Sequence, residues 1–250
     1  MTKHGGSRTL KRLNTPKFLQ IKRKHGKFFM TPSPGPHPSR LCLPLLHIVR
    51  DLLEIVDNYR EAKKLIGLGN FKVDGKIVKD RTFPVGLMDV LSIVKTNKHY
   101  RILPDSHHGL ILHEIPEAES TFKLCRITQK TTLKGGNIQL NLHDGRNIFI
   151  SVKDPKNPKE DVYKRMDVLK ITVPEQEILK VLKFKEGNLA IIMSGKNIGQ
   201  LGKVLTILKR FGPKASTVSI QHNSEHTETL YDYTFIIGEG QSEINLPKSE

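Results

Sequence analysis

The chain has no tryptophan and only two cysteines, Cys42 and Cys125, which lie far apart and form no Cys-x-x-Cys pair. A disulfide framework and a cysteine-based zinc site are therefore excluded, and the usage fits a reduced, cytoplasmic protein. No apolar run approaches the roughly 18 residues that a membrane-spanning helix needs. Met1 to Leu10 is polar and no apolar core follows it, so the start does not read as a secretory signal. The most informative absence is acid at one end. The first 50 residues contain eleven basic side chains and no carboxylate before Asp51, whereas the other 200 hold 30 basic and 25 acidic residues.

The basic residues of this stretch are Lys3, Arg8, Lys11, Arg12, Lys17, Lys22, Arg23, Lys24, Lys27, Arg40 and Arg50, with His4 among them. An arm with this charge repels itself in water and becomes compact only on a polyanion. Phosphate backbones supply that anion, and binding gains from the counterions they release. An acidic membrane surface fits less well, because Pro16, Pro32, Pro34, Pro36, Pro38 and Pro44 prevent a long interfacial helix. Phe18, Phe28 and Phe29 are interleaved with the cations; rings so placed either stack on bases or pin the arm to the adjoining domain.

Beyond the arm the chain reads as a multidomain α+β protein. Residues 1–42 form the basic extended arm, 43–95 a small helix-helix-hairpin module, 96–173 a central all-β domain and 174–250 a small β-barrel with a C-terminal segment. In the module, Leu45, Leu46, Ile48, Val49, Leu52, Leu53, Ile55 and Val56 recur at helical spacing after Pro44. Asn58 with Glu61 opens a second helix that Gly67 and Gly69 close. Asp74-Gly75 between Phe71–Val73 and Ile77–Val78 is a strong hairpin signal, and Val85–Val94 reads as one further strand. In the central domain, strands are expected at 123–128, 138–142, 147–150 and 168–173, with His143-Asp144-Gly145-Arg146 as a tight turn. The last segment predicts strands at 181–184, 189–193, 203–208, 217–221 and 231–237. From Phe211 onward there are two basic and six acidic residues, so this end is expected to face away from nucleic acid.

Catalytic and metal chemistry find little support. His107, His108, His113 and His143 are scattered and read as loop or surface histidines, and Asp144, Asp154 and Asp161 sit in turns where Asp is common for backbone reasons. No Gly-x-Ser-x-Gly and no dinucleotide fingerprint is present. The glycine-rich stretch Gly195–Gly202 is not a phosphate-binding P-loop, since Asn197 stands where its first Gly belongs and Val204 where Ser or Thr binds magnesium. An RNA-modifying enzyme and a free transcription or translation factor remain rival readings.

Residues 45–93 resemble the S-four RNA-binding fold, through Arg60-Glu61-Ala62-Lys63-Lys64-Leu65-Ile66, Gly69–Lys76 and Asp89-Val90-Leu91. Arg60, Lys63 and Lys64 share a helix face, and Lys72, Lys76, Lys79 and Arg81 follow on the hairpin. Gly187–Val204 resembles the KOW motif and carries Lys196 and Lys203. The order Leu10-Lys11-Arg12-Leu13, Pro32–Pro38, Pro84–Val90, Lys134–Asn147 and the KOW stretch is similar to the e-type S-four family of archaeal and eukaryotic small-subunit ribosomal proteins, more archaeal than eukaryotic in length. The resemblance implies a cytoplasmic, non-enzymatic ribosomal constituent. Its partners would be small-subunit ribosomal RNA and neighbouring ribosomal proteins, with no membrane, small-molecule substrate, cofactor or metal. The RNA-binding residues would be the arm cations, the helix and hairpin cations, Lys196 and Lys203.

Overall fold

The computed structural model describes residues 10–16, 18–21, 24, 26–154, 159–222 and 225–247. Lys3, His4, Arg8, Lys17, Lys22 and Arg23 lie outside them. The arm begins as a short ladder of β1 (Leu10–Lys11) on β2 (Phe28–Phe29). Side chains alternate across a strand, so Phe29 turns into the core at 9% exposure while Phe28 stays 58% exposed. After β3 (Cys42–Pro44), α1 (Leu45–His47) continues as a π-helical turn over Ile48–Leu52. Glu54 takes a left-handed φ of 48°, so the helical run expected through Val56 stops early and Ile55 is exposed. In α2 (Tyr59–Gly67), the Asn58 amide donates to the Glu61 carboxylate at 3.2 Å, so the two capping side chains meet each other instead of the backbone.

β4 (Phe71–Val73) and β5 (Lys76–Ile77) close on Asp74 and Gly75, both at positive φ, as the dipeptide predicts. The stretch Val85–Val94 is two strands and not one. β6 (Pro84–Gly86) pairs with β3, whereas β7 (Val90–Ile93) pairs with β4, and Met88 at φ 66° makes the turn between them. β8 (Lys98–Asp105) and β9 (Gly109–Ile115) extend the hairpin sheet to the order β5-β4-β7-β8-β9. A boundary at residue 95 thus falls inside a sheet.

After the short α3 (Glu117–Ser120) comes β10 (Phe122–Thr132), followed by β11 (Ile138–Leu142), β12 (Asn147–Ile150), β13 (Val168–Thr172) and β14 (Ile178–Leu182). The first half of β10 pairs with β13 and the second half with β11, across an irregularity between Ile127 and Gln129. The strand expected at 181–184 therefore belongs, as β14, to this central sheet. Cys125, Ile127, Ile138, Leu140, Leu142, Val152, Leu169 and Ile171 give it a core of its own. The last sheet is β15 (Leu189–Ile192), β16 (Leu201–Leu208), β17 (Thr217–His222), β18 (Glu225–Leu230) and β19 (Thr234–Gly238), in the order β18-β17-β16-β15-β19. The main core runs continuously from Leu19 and Phe29 of the arm, through the helices, to Ile191 and Phe235.

At the junction of arm, hairpin sheet and central sheet lies Lys123, fully buried. An ammonium has three donors, and here each finds a carboxylate from a different turn. Asp74, between β4 and β5, and Asp144, between β11 and β12, each accept at 2.9 Å, and Asp89, ahead of β7, is in closer contact. The Arg146 guanidinium also reaches Asp74 at 2.6 Å and Asp144 at 3.2 Å. His37 donates to Asp89 at 2.9 Å. Backbone N–H groups of Val90, Gly86 and Arg146 satisfy the remaining oxygens of Asp74, Asp89 and Asp144. Burial disfavours the charge on Asp89 and Asp144, but Lys123 together with His37 and the Gly86 N–H holds Asp89 well below the usual carboxylate range, and Lys123 together with His143 and Arg146 holds Asp144 at about 2. The same carboxylates raise Lys123 well above its ordinary value against the desolvation that opposes them.

This cluster explains two sequence motifs together. The proline run of the arm carries His37 over Gly86, where a Cβ would lie 2.2 Å from the imidazole, so only glycine admits the ring. Replacing Lys123 by Met is expected to destabilise the protein by about 3–5 kcal/mol, because three buried carboxylates lose their shared cation. Urea unfolding checks this, and a midpoint unchanged from the parent protein would show that the cluster does not hold the junction.

Candidate nucleic-acid interface

The amphipathic pattern of α2 orients it. Ala62 and Ile66 are buried against the core, which leaves Arg60, Lys63 and Lys64 exposed on the opposite side. Lys76 and Lys79 are exposed on the neighbouring hairpin and Lys72 is half-buried. Among the described residues none of these six cations is paired with an acidic side chain. Unpaired cations sharing one exposed surface suit a polyanion better than they suit the fold.

The described arm residues extend this surface. Lys11, Lys24, Lys27 and Arg40 are exposed and Arg12 is half-buried. Lys27 places its ammonium 5.8 Å from the Phe28 ring, and Arg81 sits 5.9 Å from the ring of Tyr59 at the head of α2. Arg50 differs from the expectation of a free cation. Its guanidinium donates to both oxygens of Asp51, at 2.9 and 2.7 Å, and is largely covered. Burial opposes the Asp51 charge, yet His47 and Arg50 hold that carboxyl below the usual range. Arg50 is thus held in a fixed orientation with its charge matched by Asp51.

Lys196 and Lys203 are exposed in the C-terminal sheet region, Lys196 in the β15–β16 loop and Lys203 on β16. Gly199, at φ 82°, lies so close to the β8–β9 turn that a Cβ would be 2.7 Å from the Ser106 nitrogen. This glycine therefore makes its close backbone approach to another turn of the protein itself. The acidic C-terminal segment also pairs with the protein's own cations: Asp232 meets Arg165 at 3.0 Å on the surface, and Glu243 bridges Lys170 and Lys180 at 2.9 and 2.7 Å. Arg126 completes the attachment by donating to the carbonyls of Asp232 and Thr234 at 2.7 and 3.0 Å.

Sequence comparison decides the family. The pattern of ribosomal family S4e matches residues 96–178, and that of the RS4NT domain matches residues 4–40. The chain is 49% identical over 249 residues to the small ribosomal subunit protein eS4 of Aeropyrum pernix, covering 99% of this chain and 98% of that protein. Against the eS4 protein of Methanocaldococcus jannaschii it is 46% identical over 247 residues, covering 98% and 100% of the two chains. The chain belongs to ribosomal family S4e. The crystal structure of the 30S ribosomal protein S4e from Thermoplasma acidophilum superposes with a TM-score of 0.66 at 33% identity, covering 80% of this chain and 95% of that one.

Neither Tyr59 at the head of α2 nor the Lys123 cluster stands out in the sequence of this S4e chain. A lone charge within the apolar run 84–93, Asp89, and a lysine in phase with buried Cys125 and Ile127 were the available signals. His143 also departs from a surface histidine. Its ring accepts the Arg126 N–H at 3.2 Å, faces the Leu87 carbonyl at 3.3 Å and packs edge-on against Phe235. Cys125, His143 and Asp144 bring ligand atoms within 4.8 Å of one another. They do not make a metal centre: both ring nitrogens are engaged, burial pushes the Cys125 thiol well up, and Asp144 already serves Lys123 and Arg146. His107 and His108 are exposed in the β8–β9 turn, where Asp105 accepts both of their backbone N–H groups.

Burial, reinforced by Lys123 over the opposing pull of Asp144, lowers His143 from 6.5 to about 3. The unfolded chain therefore takes up a proton that the folded one refuses, and stability falls as pH drops below about 6.5. Relative to His143→Gln, the parent protein should lose roughly 1–2 kcal/mol between pH 7 and pH 5. Denaturant unfolding at both pH values measures the difference, and parallel pH dependence in the two proteins would refute it.

Proposed function

We propose that this protein is a non-enzymatic structural constituent of the small ribosomal subunit, working on the cytoplasmic ribosome, which binds small-subunit ribosomal RNA and contacts neighbouring ribosomal proteins. The observation that carries the reading is the exposed Arg60, Lys63 and Lys64 face, free of acidic partners, in a chain 49% identical throughout its length to a small ribosomal subunit protein. In this reading the arm of residues 1–42 orders on RNA, and the S-four-like module of residues 43–95, widened by β8 and β9, grips phosphates and sugar edges by shape. The central domain of residues 96–173, with β14 added, carries the Lys123 junction. The KOW-like segment within 174–250 lends Lys196 and Lys203 at a second point of contact, and its acidic end stays on the protein side.

A mechanism based on phosphate neutralisation makes affinity strongly salt-dependent, with a slope of about −0.7 to −0.9 in log K against log salt per contact. Changing Arg60, Lys63 and Lys64 together to Glu is expected to leave the fold intact, since all three are exposed, and to reduce the magnitude of that slope by about 2 to 3. Titrations of small-subunit RNA at several salt concentrations read both quantities. An unaltered slope in the triple variant would remove the α2 face from the interface. A free factor, in contrast to a constituent, would leave the small-subunit particle in a high-salt sucrose gradient.

A further inference from the structure

Where the arm passes the head of α2, a cleft of about 350 Å³ opens between Phe28 on one side and Tyr59 on the other, within the range of about 300–1,000 Å³ typical of ligand sites. Neither ring belongs to the core: Phe28 is 58% and Tyr59 39% exposed. Arg50 and Arg81 line the same cleft, as do Thr31 and the buried Leu46. Asp51 holds the Arg50 guanidinium in a fixed plane. Thr31 Oγ1 and Arg81 Nε, both buried, have no hydrogen-bond partner among the described residues. Aromatic and guanidinium walls around an open cleft suit a flat partner.

The chemistry of the walls defines that partner. Two exposed aromatic rings and two guanidinium planes suit a flat π-system, and the exposed cations Lys27, Arg60 and Lys63, next to Phe28 and Tyr59 in the chain or one helical turn on, suit an attached anionic backbone. We infer that this cleft receives a single unstacked nucleobase of RNA, swung out of its helix at a bulge or loop. The inference rests on the RNA-binding reading above and adds to it a contact that duplex RNA cannot make. It also separates the adjacent phenylalanines, since Phe29 packs on His47 with ring centroids 5.0 Å apart while Phe28 is left for the base.

The test uses the full chain and two RNA hairpins, identical except that one carries a single bulged 2-aminopurine and the other is fully paired. The parent protein should bind the bulged hairpin about tenfold more tightly and quench its fluorescence on stacking. Phe28→Ala with Tyr59→Ala should abolish both the preference and the quench while leaving affinity for the paired hairpin unchanged, and Phe28→Trp with Tyr59→Trp should restore them. Equal binding of the two hairpins without quenching, or a preference that survives the double alanine change, overturns the base site but not RNA binding. Failure of the parent protein to bind either hairpin overturns the RNA-binding reading itself. Should the double alanine variant not fold, the parent protein's discrimination and quench decide the matter alone.

Discussion

A buried ammonium must be matched by fixed acceptors, and this one requirement organises the molecule. The groups that satisfy Lys123 and its carboxylates come from Asp74, Asp89, Asp144 and Arg146, with His37 attached to the rim. These positions span more than a hundred residues, yet all must converge within hydrogen-bonding distance. Apolar contact could bring the same segments together, but it is non-directional and would tolerate sliding. Hydrogen bonds between ions have preferred geometry, and a partner displaced by an ångström leaves a desolvated charge behind. The junction therefore fixes the orientation of the hairpin sheet on the central sheet, and with it the position of α2 beside the arm.

Charge is sorted between interior and surface by the same logic. Inside, carboxylates are matched to Lys123 and Arg146, and along the C-terminal segment Asp232 and Glu243 are matched to Arg165, Lys170 and Lys180. The acid of the chain is thus largely committed to the protein's own cations where it borders the central sheet. The described cations of α2, the hairpin and the arm outside Arg50 have no such acidic partner. Such an uneven field orients an approaching polyanion before any contact forms, and is weakened by salt.

Much of this was legible in the sequence where local chemistry determines local shape. Asp74-Gly75 predicts its hairpin because few dipeptides accept two positive φ angles, and Pro44, Asn58 and Gly69 mark helix limits for comparable steric reasons. The split of Val85–Val94 was hidden because the turn is made by Met88, a residue with no turn preference. β8 carries Pro104, a residue usually kept out of strands, yet it pairs with Leu110 near the end of the ladder. The cationic face of α2 followed from spacing alone, whereas Tyr59 did not, because its role depends on an arm strand more than thirty residues earlier. The Lys123 cluster depends on tertiary register, and only the oddity of single charges in buried runs hinted at it.

The position of β10 in the chain bears on how the protein is made. Asp74 and Asp89 belong to the first-synthesised part, but the lysine that neutralises them lies at residue 123 and the arginine at residue 146. A growing chain that emerges N-terminus first therefore presents the helical module with two carboxylates facing an incomplete interior. The Lys123 junction, and the alignment of the hairpin sheet on the central sheet that depends on it, can therefore close only after residues 123 and 146 have been made.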